Sequence, residues 1–188
     1  MLSRHIPDSR ARPPHICSFG SAKTTTPIAC RNQIVFNALL QASLDPQISA
    51  ILAPGEFDPG CDFRVIPTGA EKRVRVRVVS GDECSADGDT DDIILDECSV
   101  MMEPRRTDAI LVWSCRKRWV SPGDQIRVQH ALSESGPMSL VEVARFATGS
   151  SDGVAAVLAL ICRNFLEIDL NEAGLSPETI VRRRDRLF

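Results

Sequence analysis

Apolar residues recur along the chain with two different periods, and the change from one to the other divides it. Between Asn32 and Leu44 the residues Ile34, Val35, Ala38, Leu39 and Ala42 return at intervals of three and four, the spacing of a helix with one buried face. Pro46 ends that helix, because the residue before a proline is pushed out of the helical region. Short apolar segments at 47–52 and 61–66 then read as strands, and the Pro67-Thr68-Gly69 turn returns the chain into a third at 72–79. Within 71–79 valine alternates with arginine, the period of two expected of a strand with one buried and one basic face. Apolar runs at 93–95 and 108–113 suggest further short strands. Helix, strand and hairpin in this order open an α/β domain.

From residue 121 the pattern is different. Ser121-Pro122-Gly123-Asp124 is a helix start, with serine in the capping position and proline first in the helix. That helix runs to Ser135 and stops at Gly136-Pro137. Ser139 caps a second helix through Leu140, Val143, Ala144 and Ala147, and Gly149-Ser150-Ser151-Asp152 leads into a third carrying Val154, Val157, Leu158 and Ile161. After Asn164 the period returns to two, at Leu166, Ile168 and Leu170, and 179–182 reads as the returning strand. Three helices followed by a hairpin is the order of a winged helix, in which the third helix enters a DNA groove and the hairpin touches the backbone. The chain therefore divides into an arm at 1–27, an α/β domain at 28–120 and a winged-helix domain at 121–188.

Charge sharpens this division. The net charge is −3, a poor match to nucleic acid as it stands. Eight acidic residues fall between Asp82 and Glu97 with no lysine or arginine among them, so the rest of the chain is net basic. Asp87, Asp89 and Asp91 imitate a calcium loop, but Asp92 stands where glycine is needed and Cys98 where the closing glutamate belongs; a solvated acidic loop is the expectation. Seven cysteines without a C-x-x-C pair, and three histidines outside any cysteine-rich stretch, predict reduced thiols in a cytoplasmic protein and no zinc site. No apolar run approaches the roughly 20 residues that cross a bilayer, so no membrane partner is expected. The arm, with Pro7, Pro13, Pro14 and the basic residues Arg4, Arg10, Arg12 and Lys23, has no apolar period and predicts a flexible tail.

Basic residues gather at Arg105, Arg106, Arg116, Lys117 and Arg118, with Trp113 and Trp119 close by. Such a cluster grips a phosphate backbone and stacks on bases, while two tryptophans beside an apolar run also suit a core. In the winged helix the candidate contacts are Ser150, Ser151, Arg163 and Asn164 on the third helix, then Arg182, Arg183, Arg184 and Arg186 in the wing and tail. So neutral a third helix also suits docking to a protein.

Three motifs complete the sequence picture: Cys61-Asp62-Phe63 on one strand, Val74-Arg75-Val76-Arg77 on the next, and Asn32-Gln33 opening the first helix. With Leu44-Asp45-Pro46-Gln47-Ile48 and the closing Leu175-Ser176-Pro177-Glu178-Thr179-Ile180-Val181-Arg182-Arg183, the order resembles the TnsA-like family, the endonuclease subunit of heteromeric transposases, over residues 28–184. The resemblance implies a restriction-endonuclease-like mixed sheet followed by a C-terminal winged helix-turn-helix. In that family a helical glutamate, a Pro-Asp-Phe strand and a Glu-x-Lys strand hold magnesium and activate water at the scissile phosphate. Here Asp62 keeps the aspartate, Gln33 falls at the helical glutamate, and Arg75 and Arg77 replace the glutamate and lysine. A guanidinium repels the cation a glutamate would bind, so Arg75 is expected to pair with Asp62 or to bind phosphate itself.

The resemblance thus implies a DNA-associated accessory protein of a mobile element, a pseudoenzyme that binds duplex DNA, holds no cofactor and acts beside a transposase. Two alternatives stay open: a magnesium-dependent endonuclease using displaced carboxylates such as Glu56 or Glu71, and a protein-docking module without nucleic-acid contact.

Overall fold

The computed structural model describes residues 17–56, 58–80, 92–170 and 174–184. The positions of the calcium-loop imitation, Asp87, Asp89 and Asp91, lie outside them, as do Arg4, Arg10, Arg12 and Arg186. From Cys17 onward the expected flexible arm is ordered. Strand β1 (Cys17–Phe19) pairs antiparallel with β2 (Ile28–Cys30), and Phe19 and Ile28 face each other in the core. Lys23, expected in solvent, is 5% exposed and donates to the Asp45 carbonyl. Burial, and after it the neighbouring Arg184 guanidinium, push the Lys23 ammonium down to about 7.

Helix α1 (Gln33–Leu44) begins where Asn32 Oδ1 accepts the Val35 N–H at 2.9 Å. It lies on a four-stranded mixed sheet in the order β3 (Ile48–Leu52), β4 (Phe63–Pro67), β5 (Val74–Val79) and β6 (Asp92–Asp96). The first three run antiparallel and β6 runs parallel to β5. The α/β character read from the sequence is therefore the observed one. Ile51, Phe63, Val65, Val76 and Val78 form the buried face beneath α1. On the other face Arg64 lies directly across from Arg75, and Arg75 across from Asp92.

A short helix α2 (Glu97–Val100) leads to α3 (Arg105–Ser114), and here the structure corrects the sequence reading. The run at 108–113, expected to be a strand, is helical, with Ala109, Val112 and Trp113 inward and Ile110 and Leu111 outward. Unbroken apolar runs of this length carry no period of their own, so a strand and a buried helix look alike.

A 3-10 turn at Cys115–Lys117 then connects to α4 (Pro122–Ser135), capped by Ser121 as expected. Strand β7 (Met138–Ser139) precedes α5 (Leu140–Ala144), where Ser139 and Glu142 cap the helix reciprocally. Helix α6 (Gly153–Cys162) and the strands β8 (Leu166–Ile168) and β9 (Ile180–Arg183) complete the chain. The last sheet has the order β7-β9-β8, all antiparallel.

Helix α6 is the centre of the molecule. It carries no charged residue, and every side chain from Ala155 to Cys162 is buried, against α1, α3, α5, β8 and the 3-10 turn. A helix apolar on all sides is a core helix. Its C-terminus is sealed by Asn164, whose positive φ of 62° lets Asn164 N–H reach the Ile161 carbonyl and Phe165 N–H the Leu160 carbonyl. Asn164, a candidate DNA contact in the sequence, is the helix-ending residue. No helix among the described residues is long and apolar enough to cross a membrane.

Two tests follow from this packing. A methyl at Gly153 would stand 2.3 Å from the Ala144 carbonyl oxygen. Alanine is the better helix former by roughly 1 kcal/mol, yet Gly153→Ala is expected to lower unfolding stability by about 2 kcal/mol, since the clash is with backbone that must shift; a stabilised variant in urea titration would refute the close approach. The second test concerns Lys23. Its folded value lies below the ordinary lysine range, so the unfolded chain binds more protons between about pH 7 and 10 and the burial penalty is relieved as pH rises. The stability of wild type relative to Lys23→Met should therefore increase across that window, and a flat difference would refute the assignment.

Candidate nucleic-acid interface

The motif positions come first, because their geometry decides what chemistry remains. Asp62 enters β4 with its backbone N–H on the Val76 carbonyl, and its side chain is 7% exposed. Arg31 grips it with both arms of its fork, Nε to Oδ1 at 2.6 Å and Nη2 to Oδ2 at 3.1 Å, and the Val78 N–H donates to Oδ2 at 2.8 Å. Two charge-assisted bonds in this planar arrangement are among the strongest pairs a carboxylate forms. The expected partner, Arg75, instead donates from Nε to Asp92 Oδ1 at 2.6 Å. Like-charged Arg64 and Arg75 stand side by side because each has its own carboxylate, Asp58 for Arg64 and Asp92 for Arg75.

Arg77 lies over Gly60 and donates to its carbonyl at 3.2 Å. Gly60 has a φ of +78°, a backbone conformation that favours glycine, and the Arg77 guanidinium lies close over it. Gln33 turns along its own helix to Asn37 Oδ1 at 3.1 Å. Glu56 and Glu71 are exposed in loops. Among the described residues no three His, Cys, Asp or Glu side chains are grouped to hold a metal. Nothing in the sequence pointed to Arg31, which pairs with a residue 31 positions away.

The basic and aromatic cluster divides in two. Trp113 is core: it stacks on Phe19 with centroids 5.2 Å apart, and the Arg116 guanidinium lies 5.0 Å above its ring. Arg116 also donates to the Trp113 carbonyl, so its side chain is committed to the fold. Trp119 is 72% exposed. Its backbone is nonetheless clamped, by Arg163 donating to the Arg118 carbonyl on one side and by buried Val120 and the capping Ser121 on the other.

Trp119 and Arg118 form one wall of a cleft of about 290 Å³ whose other wall is Gly149, Ser150, Ser151 and Asp152, with Ala156 at its base. Arg118 and the Ser150-Ser151 pair, far apart in the sequence, thus meet in space. The second wall is held by Asp124, whose side chain is 0% exposed. It accepts the Gly149 N–H and the Ser150 hydroxyl, each at 2.8 Å, and pairs with Arg127. Burial alone would raise the Asp124 carboxyl, but hydrogen bonds from Gly149, Ser150, Arg127 and Ser121 outweigh it and hold the group below the usual carboxylate range.

This arrangement sorts the expected contacts. Lys117, Arg118 and Ser151 are exposed at or beside the cleft. Ser150 spends its hydroxyl proton on Asp124 and has none for a phosphate. Arg163 supports Arg118 rather than facing outward alone. Arg182 lies opposite Glu167 in the last sheet, Arg183 donates to Ser133, and Arg184 turns inward to the Ile48 carbonyl. From Ala155 to Cys162 the third helix is buried, so only its ends, with exposed Val154 at one and Arg163 at the other, are open to a partner. Asp124 was legible only as a helix-start residue; its role as an anchor depends on a loop 25 positions on.

Comparison with known proteins returns no match to any family model, curated protein or solved structure.

Asp124→Asn is expected to cost roughly 2–3 kcal/mol at neutral pH, because a buried amide cannot accept from Gly149, Ser150 and Arg127 together. The folded value is depressed, so the advantage of the carboxylate is present above the unfolded value of about 3.9 and lost as pH falls below it. Thermal unfolding of both proteins should show a constant gap from neutral to mildly acidic pH that closes in stronger acid; a gap independent of pH would refute the buried carboxylate.

Proposed function

We propose that the chain is a DNA-associated accessory protein, similar to a TnsA-like transposase subunit, that holds duplex DNA without cutting it. The observation that carries this reading is the cleft. Arg118, from one stretch marked as a nucleic-acid contact, and Ser150 and Ser151, from another marked independently, line a single polar recess, and Lys117, exposed, precedes Arg118 in the chain. The frame around it supports the same reading. A mixed sheet with β6 parallel to β5 suits a restriction-endonuclease-like core, and three helices with a β7-β9-β8 sheet suit a winged helix.

Cleavage is left out of the proposal on the donor set. Arg31 and the Val78 N–H take up the Asp62 oxygens, and arginines stand at the two remaining strand positions. A divalent cation needs oxygen ligands and several negative charges; this centre offers fixed positive ones. A protein partner such as a transposase is a second reading, favoured by the outward Ile110 and Leu111 on α3. The six described cysteines are free, which suits a cytoplasmic setting.

Electrophoretic shifts of a duplex fragment at graded salt test the proposal. Affinity should fall as salt rises, and the double variant Lys117→Ala, Arg118→Ala should bind more weakly with its logarithmic salt slope reduced by about 2, one for each lost phosphate contact. No shift at low salt would refute DNA binding. Supercoiled plasmid with magnesium or manganese should stay intact; nicking abolished by Asp62→Ala would restore the nuclease reading.

A further inference from the structure

We infer that Trp119 is a stacking platform for an unpaired nucleotide, so that the cleft takes a single-stranded or frayed segment of the DNA proposed above rather than intact duplex. The inference rests on that DNA reading and goes beyond it.

The first argument is the contrast between the two tryptophans. Trp113 is used by the fold, stacked on Phe19 and covered by Arg116. Trp119 is 72% exposed although its backbone is fixed on both sides, by the Arg163 bond to the Arg118 carbonyl and by buried Val120. A large aromatic left in water adds little to the packing, and its fixed backbone confines the ordering cost of binding a flat ring to the side-chain torsions.

The second argument is what surrounds it. Apart from Trp119 itself and Ala156, the cleft is lined by polar or charged residues and glycine. An apolar peptide side chain would find one hydrophobic surface and a polar rim on every other side. A nucleobase fits this mixture, since its face is aromatic and its edge carries hydrogen-bonding groups. Arg118 lies beside the ring for the backbone phosphate, and Ser151 and Asp152 stand across from it for the base edge.

The third argument is size. A recess of about 290 Å³ sits at the lower end of the roughly 300–1,000 Å³ of small-ligand sites. It admits one ring with its sugar, and it does not admit a double helix. Duplex DNA can lie against Lys117 and Arg118, while a base outside the stack can lie flat on the exposed indole and enter the recess beside it.

The full chain should be titrated at low salt with a blunt duplex and with the same duplex carrying a short single-stranded tail, following affinity and tryptophan fluorescence together. The tailed duplex should bind about tenfold tighter, the effect of stacking one base on an aromatic ring, and should quench the exposed indole. Trp119→Ala should bind both duplexes alike, and Trp119→Phe should keep part of the preference while losing the quench, since buried Trp113 alone remains. Both substitutions fall on an exposed side chain and leave the core intact. Equal, salt-sensitive binding of the two duplexes by the wild type would overturn this inference and leave the DNA reading standing. Binding of neither would overturn both.

Discussion

A helix without a charged side chain must be surrounded by protein, and much of this molecule follows from where α6 finds that surrounding. Gly153 lets it start against the Ala144 carbonyl, and Asn164 ends it in a left-handed turn. Between those points Val157, Leu158, Leu160 and Ile161 are buried against elements from both ends of the chain. Exposing any one of these side chains costs about 1.5–3 kcal/mol, so α6 cannot be freed to enter a DNA groove. The cleft depends on the same helix. Asp152 caps it and lines one wall, while Arg163 at its other end holds the backbone of the opposite wall.

The sheet shows a parallel constraint in electrostatics. Strands β4 and β5 carry Arg64, Arg75 and Arg77 on one face, and these guanidinium groups need partners. Arg64 and Arg75 stand opposite each other across β4 and β5, an unfavourable pairing on its own. Asp58 and Asp92 offset it from the two sides. Asp62 is satisfied by Arg31 and the Val78 N–H. Arginine stays charged at any accessible pH, so these pairs keep their cationic side where a lysine or histidine could lose its proton.

The elements legible in the sequence were those with local causes. Ser121, Ser139 and Asp152 cap α4, α5 and α6 through hydrogen bonds three residues away, and the helical spacing behind them is regular. The hairpin strands of the sheet followed from valine alternating with arginine. What was not legible depends on distant partners. Lys23 looked like part of a polar tail because its environment is made by Asp45 and Arg184. Asp62 and Arg31 meet only after β2 and β4 are placed, and Asp124 meets Gly149 only after α4 and α5 have packed. In α3 the difficulty was different: a short unbroken apolar run fits either period, and the helix is chosen by Ala109, Val112 and Trp113 packing toward α1 and α6.

The burial of α6 also bears on where any sequence selectivity would come from. Contacts to phosphate position a protein on DNA but carry no information about bases, and stacking accepts every base because each has an aromatic face. That information comes from side chains that reach base edges, and α6 is enclosed by the core from Ala155 to Cys162. A chain that binds DNA through Lys117, Arg118 and Trp119 would therefore recognise the state of the DNA, its phosphates and its unpaired ends, and leave the choice of sequence to a partner. The outward Ile110 and Leu111 lie on α3, which runs into the 3-10 turn before Arg118 and Trp119, so one continuous segment presents an exposed apolar pair and then an exposed basic and aromatic stretch.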